Sequence, residues 1–136
     1  VVKIVVDSYA WIELFRGSEK GMKVKGLIKD ADEVYTPDIV LAEIARKYRR
    51  DGIAEGVVKE RLSVIGEVSM IIPIDMEIAI ASSMAYYELK GKASKLKLGD
   101  PSLFDAIVLA ITRTLGAKVI TGDLHFKEEG ETIWLS

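Results

Sequence analysis

Cysteine is absent from this 136-residue chain, and histidine occurs once, at His125. Without thiols there are no disulfides, thiolate metal sites or cysteine nucleophiles. A zinc site of the usual His/Cys kind lacks its ligands as well. Long hydrophobic runs are missing: charges interrupt every candidate before it reaches the roughly 20 apolar residues of a membrane-spanning helix. The first apolar stretch is too short for a signal peptide and has neither the basic flank nor the cleavage site. No membrane partner is expected, and an intracellular, cytoplasmic protein is the simplest expectation. A large charge of one sign is also lacking. The formal net charge of −2 argues against coating nucleic acid by charge alone, but not against an acidic metal centre with a basic rim.

What is present is a core. Hydrophobic residues make up 49% of the chain, which excludes disorder and fits one well-packed domain over residues 1–136. There is no repeat or low-complexity tract. Val1-Val2-Lys3-Ile4-Val5-Val6 reads as a buried strand, β-branched and nearly continuous. Ser8 to Phe15 carries an apolar stripe at helical spacing that Gly17 ends, and a second helix is expected from about Glu19 to Lys29. A short strand, Glu33 to Thr36, precedes a helix with Thr36 as cap and Pro37 in the first turn. That helix runs to the basic end Lys47-Tyr48-Arg49-Arg50 before Gly52. A fourth helix is expected from roughly Ile53 to Ile65. Met70 to Ile74 is strand-like, and Asp75 caps a long helix reaching Leu89. Gly91 to Gly99 reads as a flexible, lysine-rich connection. Pro101 opens the most apolar helix, which ends at Gly116. Strands Lys118 to Thr121 and Glu131 to Leu135 follow. Alternating strands and helices predict a three-layer α/β/α domain with a central, mostly parallel sheet.

Four acids stand at one edge of that sheet: Asp7, Glu43, Asp105 and Asp123. Asp7 ends the first strand, and Asp123 follows Val119-Ile120-Thr121-Gly122. Ligands of open parallel sheets bind beyond the carboxyl ends of the strands. The helix from Pro101 feeds a strand through the brief Gly116-Ala117 connection, so its start, with Asp105, returns to the carboxyl edge. Glu43 follows its strand by under two helical turns. Each acid also has a plain structural reading. Asp7 or Ser8 can cap the first helix, and Asp105 can complete a capping box with Ser102. Glu43 can pair with Lys47, and Asp123 can be a turn residue. Taken together, however, Asp105 and Glu43 have apolar neighbours on both sides, a costly setting for a charge without a counter-ion. Converging carboxylates without Cys and with one His suit Mg²⁺ or Mn²⁺, ions that polarise phosphoryl oxygens and activate water.

Ile4-Val5-Val6-Asp7-Ser8, Leu41-Ala42-Glu43-Ile44, Phe104-Asp105-Ala106-Ile107 and Thr121-Gly122-Asp123-Leu124-His125-Phe126 occur in an order that resembles the PIN-domain nucleases, particularly VapC-type toxins. The resemblance extends over nearly the whole chain. It implies a Mg²⁺- or Mn²⁺-dependent endoribonuclease, silenced by a cognate protein antitoxin and often homodimeric. It also implies Asp7 and Asp105 as principal metal ligands, with Asp123 and Glu43 completing the acidic cluster. Ser8 and Thr121 would orient carboxylates or water.

Candidate phosphate contacts are Arg46, Arg49 and Arg50, with Lys47 beside them, and Lys92, Lys95 and Lys97. All of these also read as solvated charge. Tyr9 is either a base-stacking residue or part of the core or cleft wall. Trp11 and Phe15 read as core, with a protein-contact surface as the lesser alternative. Asp100 reads mainly as a helix cap, and His125 as a solvent-facing loop residue without a catalytic role. Three other functions stay open: an RNA-processing nuclease without an antitoxin, a non-catalytic RNA- or protein-binding module, and, more remotely, a metal-dependent phosphatase.

Overall fold

A computed structural model of the chain describes residues Val1–Ser136. Lys3–Val6 forms β1, Ser8–Arg16 α1, Glu19–Asp30 α2, Glu33–Pro37 β2, Asp38–Arg50 α3 and Glu55–Val68 α4. Met70–Ile72 forms β3, Met76–Lys95 α5, Leu103–Thr114 α6, Lys118–Thr121 β4 and Thr132–Trp134 β5, with a 3₁₀ turn at Leu124–Phe126. The strands lie in the order β3-β2-β1-β4-β5, and every pairing is parallel. Helix α1 packs on α2 and α3, and α3 on α4, whereas α5 lies along α6. This is the expected three-layer α/β/α arrangement, with a sheet that is wholly rather than mostly parallel.

β1 sits at the centre because Ile4, Val5 and Val6 are buried, as a strand covered on both faces requires. α6 is apolar nearly all round, with Ala106 through Thr112 buried, and packs against β1, β2 and β4. The one hydroxyl in that run, on Thr112, is satisfied by donating to the Val108 carbonyl at 2.8 Å. No helix is long and apolar enough to cross a membrane.

Three local expectations are corrected. Thr36 does not cap α3. It belongs to β2 and is fully buried, and Pro37 stands at the cap position without a side-chain bond. The Thr36 hydroxyl is used elsewhere. It accepts from Trp11 Nε1 at 3.1 Å and lies 2.7 Å from Ser69 Oγ, which donates to the Ile65 carbonyl at 2.7 Å. Because Ser69 spends its proton on Ile65, Thr36 donates to Ser69. A buried polar chain thus joins α1, β2 and the end of α4 with every member satisfied.

The lysine-rich stretch is not a loose connection throughout, since α5 continues to Lys95. Its buried positions Ile78, Ser82, Ala85, Leu89 and Ala93 keep the helical period past Gly91. Lys92 also bonds the Glu129 carboxylate at 2.8 Å. Nor does Asp100 cap α6; Ser102 does, and the helix proper starts at Leu103. Remaining differences are of a few residues at element ends, as for α4, which runs from Glu55 to Val68.

Candidate metal centre

With all strands parallel, their carboxyl ends share one edge. Asp7 leaves β1 there in extended geometry and caps α1, its Oδ1 accepting from Ala10 N at 2.9 Å. Register places Val6 beside Ile120, so Asp7 and Thr121 emerge as neighbours. Thr121 lies close enough to the Asp7 carboxyl to lower its pKa, and its hydroxyl oxygen accepts from Asp123 N at 3.0 Å. One threonine therefore stands beside two of the acids. Ser8 is buried at the first position of α1.

Asp105 stands at the third position of α6. The capping box forms in full: Asp105 N donates to Ser102 Oγ at 3.0 Å, and Ser102 N donates to Asp105 Oδ2 at 3.0 Å. The structural reading of Asp105 is thus correct, yet the box engages only one carboxylate oxygen. Oxygens of Asp105 and Asp123 and a ring nitrogen of His125 lie within 4.8 Å of one another. Glu43, half-buried in the second turn of α3, and Asp7 stand outside that group, but Asp105 and Asp123 are near enough to raise the Glu43 pKa. No Glu43–Lys47 ion pair forms, and Lys47 and Arg46 act on Glu43 through space.

The electrostatics record crowding. Asp7, only 6% exposed, is pushed up to about 7, mainly by burial and further by Asp123 and Glu43, against hydrogen bonds from Thr121 and Ala10. Glu43 is pushed up to about 7 by burial and by Asp105 and Asp123, against Lys47 and Arg46. Asp105 is raised by burial and by Asp123, against its Ser102 bonds and His125. Buried carboxyls that resist ionisation lack positive charge, and a divalent cation would supply it.

His125 departs from the solvent-facing expectation. Its ring is part-buried, with Nδ1 3.0 Å from Asp123 Oδ1 and Nε2 2.7 Å from the Gly99 carbonyl oxygen. Its backbone N–H also donates to Asp123 Oδ1 at 2.9 Å, closing a side-chain turn in which an Asp accepts from the residue two positions on. That local spacing was the only signal in the sequence. Burial lowers the His125 pKa, but the Gly99 carbonyl, Asp123 and Asp105 outweigh it, so the net shift is upward. Both ring nitrogens are engaged, which leaves a carboxylate-oxygen donor set. Gly122 marks a close approach that sequence reasoning also missed: a Cβ there would stand 2.4 Å from the Tyr9 ring. The Tyr9 ring lies against Gly122, its hydroxyl accepting from Lys20 Nζ at 2.9 Å.

The basic candidates separate into two places. Arg46 and Arg49 line a hollow between α3 and α4 with Ala45, Ile53, Val58 and Leu62. Arg50, which pairs with Asp51 at 3.4 Å, lines another with Tyr9, Arg16, Lys47 and Tyr48. Lys95 and Lys97 are exposed near the entry to α6, and Lys97 takes a left-handed conformation. Lys92 instead faces the buried Glu129, which Arg113 also reaches at 3.4 Å.

The PIN domain family model matches residues 4–131. The chain belongs to the PIN domain family. Solved structures share the PIN fold at low sequence identity. A toxin–antitoxin complex from Klebsiella pneumoniae superposes with a TM-score of 0.74 at 19% identity, covering 98% of each chain. The Mycobacterium tuberculosis VapC20, a sarcin–ricin-loop-cleaving toxin, gives 0.70 at 19% identity over 93% of this chain and 95% of that one. VapBC2 from Rickettsia felis, bound to a promoter DNA fragment, gives 0.67 at 14% identity over 98% and 97%. No curated protein sequence matches the chain significantly.

Proposed function

We propose that this PIN-domain protein is a divalent-metal-dependent endoribonuclease, using Mg²⁺ or Mn²⁺, and the toxin of a cytoplasmic toxin–antitoxin pair. The observation that carries this reading is the crowded carboxyl cluster, with Asp7 and Glu43 both pushed up to about 7. The donor chemistry fits a hard cation: carboxylate oxygens predominate, and the one nearby imidazole has its nitrogens occupied. Asp7, Asp105, Asp123 and Glu43 would hold the metal. Bound there, it would polarise a phosphodiester oxygen and lower the pKa of water.

The chain's own residues would do the rest. Ala10 N fixes the Asp7 carboxyl, and the Ser102 box fixes one oxygen of Asp105. Ser8 lies alongside Asp7. Arg46, Arg49 and Arg50 on one side, and Lys95 and Lys97 on the other, would hold RNA phosphates in register. Lys92 is the weaker candidate, because its ammonium neutralises Glu129.

The partners find matching surfaces. An apolar groove of about 370 Å³ between α1, α2 and α4, lined by Trp11, Leu14, Met22, Ile28, Val64 and Val68, suits an apolar antitoxin helix. Met76, Ile80, Met84 and Tyr87 form an exposed stripe along α5 with the spacing of a helix-pairing face, which supports a homodimer. The test is cleavage of labelled RNA by purified protein with Mn²⁺, Mg²⁺ or EDTA. Metal-dependent cleavage lost in Asp7→Asn supports the reading. Cleavage that persists in EDTA, or that survives in Asp7→Asn against a mock-purified control, overturns it.

A further inference from the structure

His125 reaches two parts of the site that are remote in sequence. On one side lies Asp123, whose Oδ1 is 3.0 Å from Nδ1. On the other lies Gly99, in the connection between α5 and α6, whose carbonyl oxygen is 2.7 Å from Nε2. Across Gly99, Asp100 and Pro101 this is the only hydrogen bond, backbone or side chain. Three residues beyond Gly99 comes Ser102, whose N–H grips Asp105 Oδ2. The imidazole is therefore the polar tie between the turn bearing Asp123 and the segment that delivers Asp105. The Lys97 turn just before it, in a left-handed conformation, gives that segment no regular structure of its own.

We propose that His125 is a positioning residue of the metal centre, its two ring nitrogens holding the Asp123 carboxylate and the α5–α6 connection in one arrangement. The role rests on the metal-centre reading above. Groups that orient ligands from behind characteristically change metal affinity when removed. Here the same side chain also closes the connection, so losing it should both weaken metal binding and loosen a segment that touches no metal.

The two functions separate by substitution. An Asn amide nitrogen stands near the place of Nδ1 and can keep the Asp123 contact. A Gln amide nitrogen stands near that of Nε2 and can keep the Gly99 contact. Wild type, His125→Ala, His125→Asn and His125→Gln would be compared by Mn²⁺ titration without RNA, and by limited trypsin cleavage after Lys97 in EDTA. His125→Ala should bind Mn²⁺ about tenfold more weakly and be nicked severalfold faster, with its urea midpoint little changed. His125→Gln should recover resistance to nicking, and His125→Asn should recover more of the Mn²⁺ affinity than of the resistance. Wild-type Mn²⁺ affinity in His125→Ala overturns the positioning role alone. Unchanged nicking, or a failure of both amide variants to recover anything, overturns the two-sided tie. A wild-type chain that binds no Mn²⁺ overturns the metal-centre reading and the positioning role with it.

Discussion

Replacing Asp7 with Asn should stabilise the metal-free protein at neutral pH while destroying its function. Asp7 titrates near 7 in the folded chain and near 3.8 when exposed. Between those values the native state holds a proton that the unfolded chain has released, so stability falls as pH rises through the interval. At about 1.4 kcal/mol per pH unit, the loss approaches about 4 kcal/mol by pH 8 as a ceiling for this group. Glu43 shifts in the same direction, but it is less buried and contributes a smaller, solvent-screened share. Asn at position 7 keeps an oxygen for the Ala10 N–H and cannot ionise. The assay is urea denaturation in EDTA at steps from pH 5 to pH 8, read as mutant minus wild type so that carboxyls not coupled to Asp7 cancel. The difference should widen by about 2–3 kcal/mol in favour of the mutant between pH 5 and pH 8, since part of the shift is already expressed below pH 5. A pH-independent difference, or an Asn variant less stable throughout, would refute the reasoning and leave Asp7 as a helix cap.

Mn²⁺ or Mg²⁺ should raise the melting temperature of wild type in proportion to the logarithm of its concentration, because the ion binds only the folded cluster; calorimetry with and without EDTA checks this. Lys92→Met should lower stability by about 1–3 kcal/mol by leaving Glu129, whose side chain is 2% exposed, with Arg113 alone. Its Mn²⁺ affinity should stay unchanged, so urea midpoints beside metal titration separate this structural role from RNA binding. Gly21→Ala should be strongly destabilising, since its Cβ would lie 2.0 Å from the Glu13 carbonyl oxygen where α1 and α2 cross. Gly122→Ala should instead be relieved in a Tyr9→Ala background, because the obstacle there is a side chain; urea midpoints of the single and double variants check both.

The elements most legible in the sequence are those whose environment is uniform. β1 and α6 are buried so completely that composition alone announces them, and the parallel order follows from the alternation of strand and helix. The four acids were visible because each follows a strand or heads an apolar helix, places that parallel topology sends to one edge. Thr36 shows where local reading ends. Thr-Pro before a helical pattern is a sound cap signal, but Trp11 and Ser69 compete for the hydroxyl from 25 and 33 residues away. The end of α5 was hidden for a related reason, since Ala93 and Lys92 are held by burial and by Glu129 rather than by propensity. For Asp105 the cap and site readings are compatible, because the carboxylate has two oxygens and the box takes one. His125 reads as a solvent-facing loop residue because nothing near it in sequence points to Gly99.

The most direct test of the central claim is Mn²⁺ binding, followed by electron paramagnetic resonance at pH 8 on metal-free wild type and Asp105→Asn. Asn retains an oxygen for the Ser102 N–H, so the capping box and the fold should persist. Wild type should bind Mn²⁺ stoichiometrically at the cluster, and Asp105→Asn should lose at least about tenfold in affinity through the missing charge and ligand. Equal binding by the two proteins, or none by wild type, would contradict a metal centre built on these carboxylates.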